Sequence, residues 1–235
     1  MRLLALLALL AAQPAAADPV ATTPPAMREL KPFVATYDVQ RGGKTIGEAT
    51  MTLSRGDASQ WTLTTETRGT AGMARLLGLD VREESRFIVT GDGSLQSQDY
   101  RYRQDATLKS KQRSIEFDWA SNEARVTDKG ELFRYVLRPA TIDRHLVVLA
   151  LGRQQSATGE FQVASKEAIE TQRFEQRESK PLHLRAGEFP ATRFERTDKP
   201  GKGSSWYTPQ LLAPLQVEQV QKDGNNIVME LKAIR

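Results

Sequence analysis

The chain has 235 residues, with 33 lysines and arginines against 29 aspartates and glutamates, 2 histidines and no cysteine. The lack of cysteine excludes disulfides, thiol nucleophiles and a lipid anchor on a cleavage-site cysteine, and so few histidines argue against a histidine-rich metal site. The formal net charge of +4 is too small to indicate nucleic acid as a partner, so we expect none.

Residues 1–17 have the pattern of a cleavable secretory signal peptide. Arg2 supplies a positive charge, residues 3–12 form an apolar run, and Ala15-Ala16-Ala17 provides the small residues of a cleavage site. An apolar run of about ten residues is too short for a transmembrane helix, which needs about 20. The sequence therefore predicts cleavage after Ala17, a mature chain that starts at Asp18 without a transmembrane segment, and a periplasmic location.

Residues 18–31 are rich in proline, alanine and threonine and have no hydrophobic periodicity. This composition predicts an extended lead-in. The rest of the chain is long enough for one domain with a sizeable core, and not clearly long enough for two. We therefore predict a single β-rich domain over residues 32–235.

Apolar and polar residues alternate along most of this domain, as they do in half-buried β-strands. The first strand alternates from Phe33 to Val39, a Gly42-Gly43 turn follows, and a change of apolar parity near Gly47 predicts a β-bulge. The pattern predicts one strongly curved antiparallel sheet, a half-barrel or open barrel. The further predicted strands are 45–54, 61–67, 81–90, 95–103, 109–119, 123–127, 131–137, 161–163, 169–178, 182–185, 189–196, 204–207, 215–222 and 226–234.

Two segments interrupt the alternation. Residues 72–79 are too few for a stable isolated helix and too apolar for an ordinary loop, which suggests a lid or a tip that touches a membrane. Residues 141–152 predict the one principal helix, with Thr141 as its cap, Asp143 in its first turn and Gly152 at its end. We expect this helix to cover the concave, apolar face of the sheet.

Several motifs occur in an order that resembles a known family. They are Phe33-x-Ala35-x-Tyr37-x-Val39, Gly42-Gly43 with Ile46-Gly47, Tyr100-x-Tyr102, Phe117-Asp118-Trp119, Asp143 in a helix, Gly187-x-Phe189-x-Ala191 and Trp206-Tyr207-x-Pro209. Together they resemble the exported bacterial family called domain of unknown function 3108. The resemblance implies a curved half-barrel around a helix, more distantly similar to periplasmic lipoprotein-carrier proteins, and no established activity. The acidic helix position common in the family falls on Asp143, and His145 stands where small residues are expected.

A curved sheet that one helix only partly covers predicts a binding or carrier-like module for an apolar or amphipathic small molecule or lipid. For each candidate contact, plain core packing is the alternative interpretation. The candidate contact residues are Tyr37, Trp61, Met73, Leu76, Leu77, Phe117, Trp119, Leu146, Leu149 and Trp206.

Two other classes of function remain open. An envelope scaffold would pair its edge strands with a partner protein, and the strand from Phe33 and the strand that ends at Arg235 are either edges or a closing pair. A hydrolase would use Asp143 and His145 with Ser114, Ser204 or Ser205. Because residues two apart on a helix point to different faces, we expect instead that Asp143 favours the helix start and that His145 is a partly exposed surface residue. No sequence pattern indicates a metal or a cofactor.

Overall fold

The computed structural model describes residues 27–57, 59–107, 110–154, 156–221 and 223–235. The predicted signal peptide, its cleavage site after Ala17 and most of the predicted lead-in lie outside these ranges. None of the helices within them has the length and apolar character needed to cross a lipid bilayer.

The described residues form fifteen β-strands that all belong to one sheet. The segments predicted separately at 169–178 and 182–185 are one strand, with a register irregularity between Gln176 and Ser179. The strands are β1 (Phe33–Arg41), β2 (Lys44–Arg55), β3 (Gln60–Gly69), β4 (Asp80–Val89), β5 (Leu95–Asp105), β6 (Lys111–Asp118), β7 (Glu123–Asp128), β8 (Glu131–Val136), β9 (Ile142–Asp143), β10 (Thr158–Ala164), β11 (Ile169–Leu184), β12 (Gly187–Arg196), β13 (Gly203–Tyr207), β14 (Gln216–Val220) and β15 (Asn226–Ile234).

The sheet consists of two runs of neighbouring strands, β1 to β8 and β9 to β15, which are joined where β1 pairs with β15. β1 lies between β2 and β15, so the first and last strands are a closing pair and not edges. The edges of the described sheet are β8 and β9, which are not hydrogen-bonded to each other, so the half-barrel stays open. Neighbouring strands run antiparallel except β9 and β10. The predicted fold class, mainly β with one strongly curved antiparallel sheet, is confirmed.

The curvature brings the two ends of the sheet close together. Tyr135 Oη on β8 donates a hydrogen bond to the backbone oxygen of Ser165, just beyond β10, over 2.9 Å. Lys166 Nζ lies 4.4 Å from the ring centroid of Phe133 on β8. A separate hydrophobic cluster fills this end of the molecule, and its buried members are Tyr100, Ile115, Phe117, Ala124, Val126, Leu137 and Ala164.

Within the part of the chain that the structure describes, two helices, α1 (Gly72–Leu76) and α2 (Val147–Arg153), lie outside the sheet. The principal helix is α2, whose Leu149 is buried in the main hydrophobic cluster with inward-facing residues of the sheet such as Tyr37. Tyr207 Oη also donates a hydrogen bond of 2.9 Å to the backbone oxygen of Val148. The helix therefore packs on the concave face, as predicted.

The start of this helix was predicted wrongly. It begins at Val147 and not at Thr141, whose Oγ1 donates a hydrogen bond to the backbone oxygen of Arg138 and does not cap a helix. Ile142 and Asp143 form β9, which pairs with β10. Pairing with a strand distant in sequence thus overrides the local helical pattern.

Local turn and bulge predictions are confirmed. Gly42 and Gly43 have φ angles of 56° and 74°, which glycine adopts without steric cost. Val39 pairs with Gly47 while Gln40 pairs with Thr45, so one residue between Thr45 and Gly47 bulges out of the β1–β2 ladder.

Part of the predicted lead-in packs against the domain. Leu30 is buried in the main hydrophobic cluster. Arg28 Nη1 donates hydrogen bonds to the backbone oxygens of Gly152 at the end of α2 and of Leu211, over 3.0 and 2.6 Å. Residues 27–31 therefore hold the end of α2 from outside the sheet.

Candidate functional site

A cleft of about 900 Å³ lies between α2 and the concave face of the sheet. We call it the main cleft. Its volume is at the upper end of the range of about 300–1,000 Å³ that is usual for small-molecule sites. The walls come from β1 to β6 on one side, from β11 to β15 on the other, and from α2.

Apolar side chains from the sheet and from the helix face one another across the main cleft. They extend from the deep part, where Val39, Met51 and Val147 are buried, to the half-buried strand ends of β14 and β15. The described apolar residues that line the cleft are Val39, Ile46, Met51, Ala74, Leu79, Val81, Val147, Val148, Leu151, Phe174, Val217, Val220, Ile227 and Met229.

Basic side chains surround the apolar walls. All four of the described arginines that line the cleft have carboxylate partners: Arg41 pairs with Asp223, Arg68 with Asp80, Arg144 with Glu83, and Arg196 with Asp198. Lys111 and Lys202 also line the cleft, and neither has a carboxylate within ion-pair distance among the described residues. Among the described residues, the cleft therefore combines apolar walls with a charged rim of six basic residues and two acidic ones, Glu83 and Glu218, as a site for an amphipathic molecule would.

A buried polar cluster lies at the base of the main cleft. It consists of the side chains of Thr65, Ser85, Ser97, Asp143 and His145, each at most 8% exposed. Thr65 and His145 also line the cleft. This burial corrects the prediction that His145 is a partly exposed surface residue, because the chain crosses the inner face of β3 to β5 at this point before α2 begins.

Asp143 accepts hydrogen bonds from four donors. The hydroxyls of Ser85 and Ser97 donate to it over 2.8 and 2.7 Å, and the backbone N–H groups of His145 and Leu146 donate over 2.9 and 3.1 Å. Burial raises the pKa of the Asp143 carboxyl above its ordinary value, and these hydrogen bonds oppose the rise. The carboxylate thus orders the turn that leads into α2, which explains an acidic residue here without catalysis.

The hydrogen bonds of the cluster fix the tautomer of His145. Ser85 Oγ gives its only proton to Asp143, so at 3.0 Å from His145 Nδ1 it acts as acceptor, and Nδ1 carries the hydrogen. His145 Nε2 then accepts a hydrogen bond from Thr65 Oγ1 over 2.8 Å. Burial lowers the pKa of His145, in agreement with this neutral form.

This arrangement differs from a catalytic triad. In a triad the serine donates its proton to the histidine, which the carboxylate orients on its other nitrogen. In the described structure Ser85 donates to Asp143, is fully buried, and accepts from His145. The hydroxyls that contact His145 belong to Thr65 and Ser85, and not to the predicted partners, which were Ser114, Ser204 and Ser205.

Next to this cluster, Glu83, Tyr100 and Arg144 form a second polar group. Tyr100 Oη donates to Glu83 Oε1 over 2.7 Å, and Arg144 Nε donates to both Tyr100 Oη and Glu83 Oε1. Burial alone would raise the pKa of Glu83, but Arg144 and the hydrogen bond from Tyr100 hold it below its ordinary value. Glu83 and Arg144 line the main cleft as an ion pair.

The predicted contact residues lie in three places, and none of the ten is among the described residues that line the main cleft. Tyr37, Trp61, Leu146, Leu149 and Trp206 belong to the main hydrophobic cluster, while Phe117 and Trp119 belong to or pack on the second one. Met73, Leu76 and Leu77 lie in or next to α1. Their role as ligand contacts stays a prediction.

Helix α1 stands at the mouth of the main cleft. Ala74 within it and Leu79 just after it line the cleft. Met73 and Leu76 are 64% and 74% exposed, so the apolar character of this segment is not used to fill the core. The segment predicted as a lid therefore borders the main cleft, and its role as a lid stays a prediction.

The sequence did not identify Ser85, Ser97 or Thr65 as neighbours of Asp143 and His145. The sequence did contain one indication. Each of these residues lies two positions from a large apolar residue on the same strand, and these apolar neighbours are buried on the inner face: Phe87 for Ser85, Leu95 for Ser97 and Leu63 for Thr65. A polar residue at an inward position indicates a buried partner. In the described part of the chain, no three histidine, aspartate or glutamate side chains come together as metal ligands.

Comparisons place the chain among proteins without an assigned activity. A family model described as "Protein of unknown function (DUF3108)" matches residues 36–232. No curated protein matches the sequence.

Three solved structures are similar at 9 to 10% identity. One is a β-barrel-like protein of domain of unknown function 1849 from Brucella abortus, with a TM-score of 0.43 over 86% of this chain and 96% of that one. The second is a candidate lipoprotein from Parabacteroides distasonis, with a TM-score of 0.36 over 90% and 98% of the two chains. The third is a candidate exported protein with a YmcC-like fold from Bacteroides fragilis, with a TM-score of 0.31 over 90% and 99%. Similarities at these TM-scores carry no weight for function.

Proposed function

The chain belongs to the DUF3108 family of proteins of unknown function, and we propose that it is a non-catalytic binding or carrier-like module for an apolar or amphipathic molecule. The observation that carries this proposal is the main cleft of about 900 Å³, whose apolar walls come from both α2 and the sheet. A packed scaffold would have filled this space with side chains, since protein interiors are normally close-packed.

Three further features support a binding role. Asp143 accepts from Ser85 and has no direct hydrogen bond with the His145 imidazole, so the cluster lacks the carboxylate–imidazole contact of a catalytic triad, although Thr65 Oγ1 donates to His145 Nε2. The exposed apolar residues of α1 stand at the mouth, where they are suited to close over a bound chain. The signal-like pattern in residues 1–17 favours a role outside the cytoplasm, in the periplasm, where apolar molecules need a carrier to cross water.

A binding experiment with one matched pair of variants tests the proposal. A fluorescent fatty acid is titrated into the wild type of residues 18–235, into Val217→Asp and into Val136→Asp. Val217 lines the main cleft on β14, whereas Val136 is 71% exposed on β8 and lines no part of it. Both changes place the same charge on a strand.

The proposal predicts saturable binding to the wild type and to Val136→Asp. Binding to Val217→Asp should be at least about tenfold weaker, because an acyl chain packed against this wall would remove water from the new carboxylate without giving it a partner. Circular dichroism and thermal unfolding show whether each variant is folded. A folded wild type that binds no fatty acyl probe would leave an envelope scaffold as the better account.

A further inference from the structure

A second, smaller cavity opens beside the main cleft. It has a volume of about 260 Å³, and we call it the side pocket. It lies on the inner face of β5 to β7, because Lys111 and Arg113 alternate on β6 with the same parity as the buried Ile115 and Phe117. Unlike the main cleft, it is lined mostly by polar and charged side chains.

The charge of the side pocket is positive. Of the described residues that line it, four are basic, Lys111, Arg113, Lys129 and Arg144, and one is a carboxylate, Asp128. Arg113 Nε donates to Asp128 over 3.0 Å, and this hydrogen bond lowers the pKa of that carboxyl.

Arg144 is also neutralised, by Glu83. Two basic residues are then left over. Among the described residues, neither Lys111 nor Lys129 has a carboxylate within ion-pair distance. The side pocket thus has two lysines without an ion pair, whereas at the opposite rim of the main cleft Arg41 and Arg196 have acidic partners and Lys202 alone lacks one among the described residues.

The two cavities are adjacent. Tyr102, Lys111 and Arg144 line both of them. The guanidinium of Arg144 lies 4.9 Å from the ring centroid of Tyr102, so its charge stands at the junction. An amphiphile whose chain lies along the apolar walls of the main cleft therefore has the basic side pocket as its neighbour.

We infer that the side pocket binds the anionic headgroup, a carboxylate or a phosphate ester, of an amphiphile whose acyl chain lies in the main cleft. This inference rests on the proposed function and narrows its ligand from any apolar molecule to an anionic lipid. Lysines and arginines bind such groups by charge-assisted hydrogen bonds. Asp128 holds Arg113 in an ion pair, and Lys111 and Lys129 add positive charge that forms no ion pair with the described residues.

The test compares ligands that differ only in the headgroup. A fatty acid, a monoalkyl phosphate and the fatty alcohol of the same chain length are titrated against residues 18–235, with inorganic phosphate as a ligand that has no chain. The same titrations are made with the double variant Lys111→Gln/Lys129→Gln. The control is Lys31→Gln/Lys180→Gln, which removes the same charge from two exposed lysines that line neither cavity.

We expect the wild type and the control to bind the two anionic amphiphiles about tenfold or more tightly than the alcohol, and the double variant to lose that preference while it still binds the alcohol. Inorganic phosphate should compete only weakly. Equal binding of acid and alcohol by the wild type would overturn the inference and leave the proposed function standing. Competition by inorganic phosphate as strong as by the alkyl phosphate would overturn it in favour of a free-anion site. Failure of all four ligands to bind would refute both proposals.

Discussion

Ser97 holds Asp143 with two hydrogen bonds of opposite direction. Its Oγ donates to Asp143 Oδ2 over 2.7 Å and accepts from the backbone N–H of Asp143 over 2.8 Å. The pair fastens β9 to the inner face of β5, and it does so where Ser97 and Asp143 are both fully buried. The position of α2, and with it one wall of the main cleft, therefore depends on this contact.

Replacement of Ser97 by alanine should destabilise the domain by about 1–3 kcal/mol, because it leaves a buried carboxylate oxygen and a buried N–H without their partner. Urea unfolding followed by circular dichroism measures the change. Ser59→Ala, at an exposed turn position, is the control and should change the free energy of unfolding by less than about 0.5 kcal/mol. Equal stability of the Ser97 and Ser59 variants would show that the polar cluster does not hold α2.

The lowered pKa of His145 predicts a dependence of stability on pH. Buried His145 stays neutral in the folded state, with Glu83, Asp143 and Arg144 as the charged groups that face it, while it takes up a proton near its ordinary pKa of about 6.5 in the unfolded chain. The stabilisation that neutral His145 gives to the folded state is therefore complete above that pH and is lost as the pH falls towards the folded-state pKa.

The measurement compares the wild type with His145→Asn, which keeps a polar side chain but does not titrate. The melting temperature of the wild type should exceed that of the variant at pH 7.5, and the difference should shrink as the pH falls below about 6.5. Asp143 and Glu83 are present in both proteins, so most of the pH dependence that these two groups cause cancels in the difference between the two melting temperatures. A difference that grows on acidification would mean that His145 is charged in the folded protein.

The apolar residues of α1 should matter for ligand binding more than for folding. Leu76 is 74% exposed, so Leu76→Asp should change the free energy of unfolding by less than about 0.5 kcal/mol. If α1 closes the mouth of the cleft, the same change should raise the dissociation constant of a fluorescent fatty acid several-fold, and Leu77→Asp should act in the same direction. Leu132→Asp, on an exposed residue of β8, is the matched control. Unaltered probe binding by both α1 variants would exclude a lid.

The prediction that the protein is exported rests on the sequence alone and is tested separately. Residues 1–25 fused to a reporter that is active only outside the cytoplasm should give signal, because they contain a positive charge, an apolar run and an A-x-A site. Sequencing of the purified periplasmic protein should find Asp18 at its N-terminus. Retention of Met1 on that material would contradict a cleavable signal.

Periodicity predicted the sheet well because most strands bury residues of one face. The alternation from Phe33 to Val39 and the bulge beside Gly47 follow directly from local sequence and from the pairing that it requires. The prediction of the helix start was wrong for a different reason. Ile142 and Asp143 look helical locally, and only their pairing with β10, some twenty residues later, makes them a strand.

The site was harder to predict than the fold. Large apolar residues such as Tyr37 and Leu149 were natural candidates, but their size is used to fill the core. The cleft is lined instead by residues nearer to the strand ends, among them Val217 and Met229, whose alternation looks the same as that of core residues. Periodicity shows which face a residue occupies, and it does not show how far the opposing helix reaches along that face.

The most direct test of the central claim is photolabelling with a fatty acid that carries a diazirine near the end of its chain. Residues 18–235 are irradiated with this probe, and the labelled peptides are mapped by mass spectrometry. The account predicts one label per chain, on residues of the main cleft such as Val148, Ile227 or Met229, competed by unlabelled fatty acid and weakened in Val217→Asp but not in Val136→Asp. Labelling confined to the outer face of the sheet, or equal in both variants, would contradict a ligand site between α2 and the sheet.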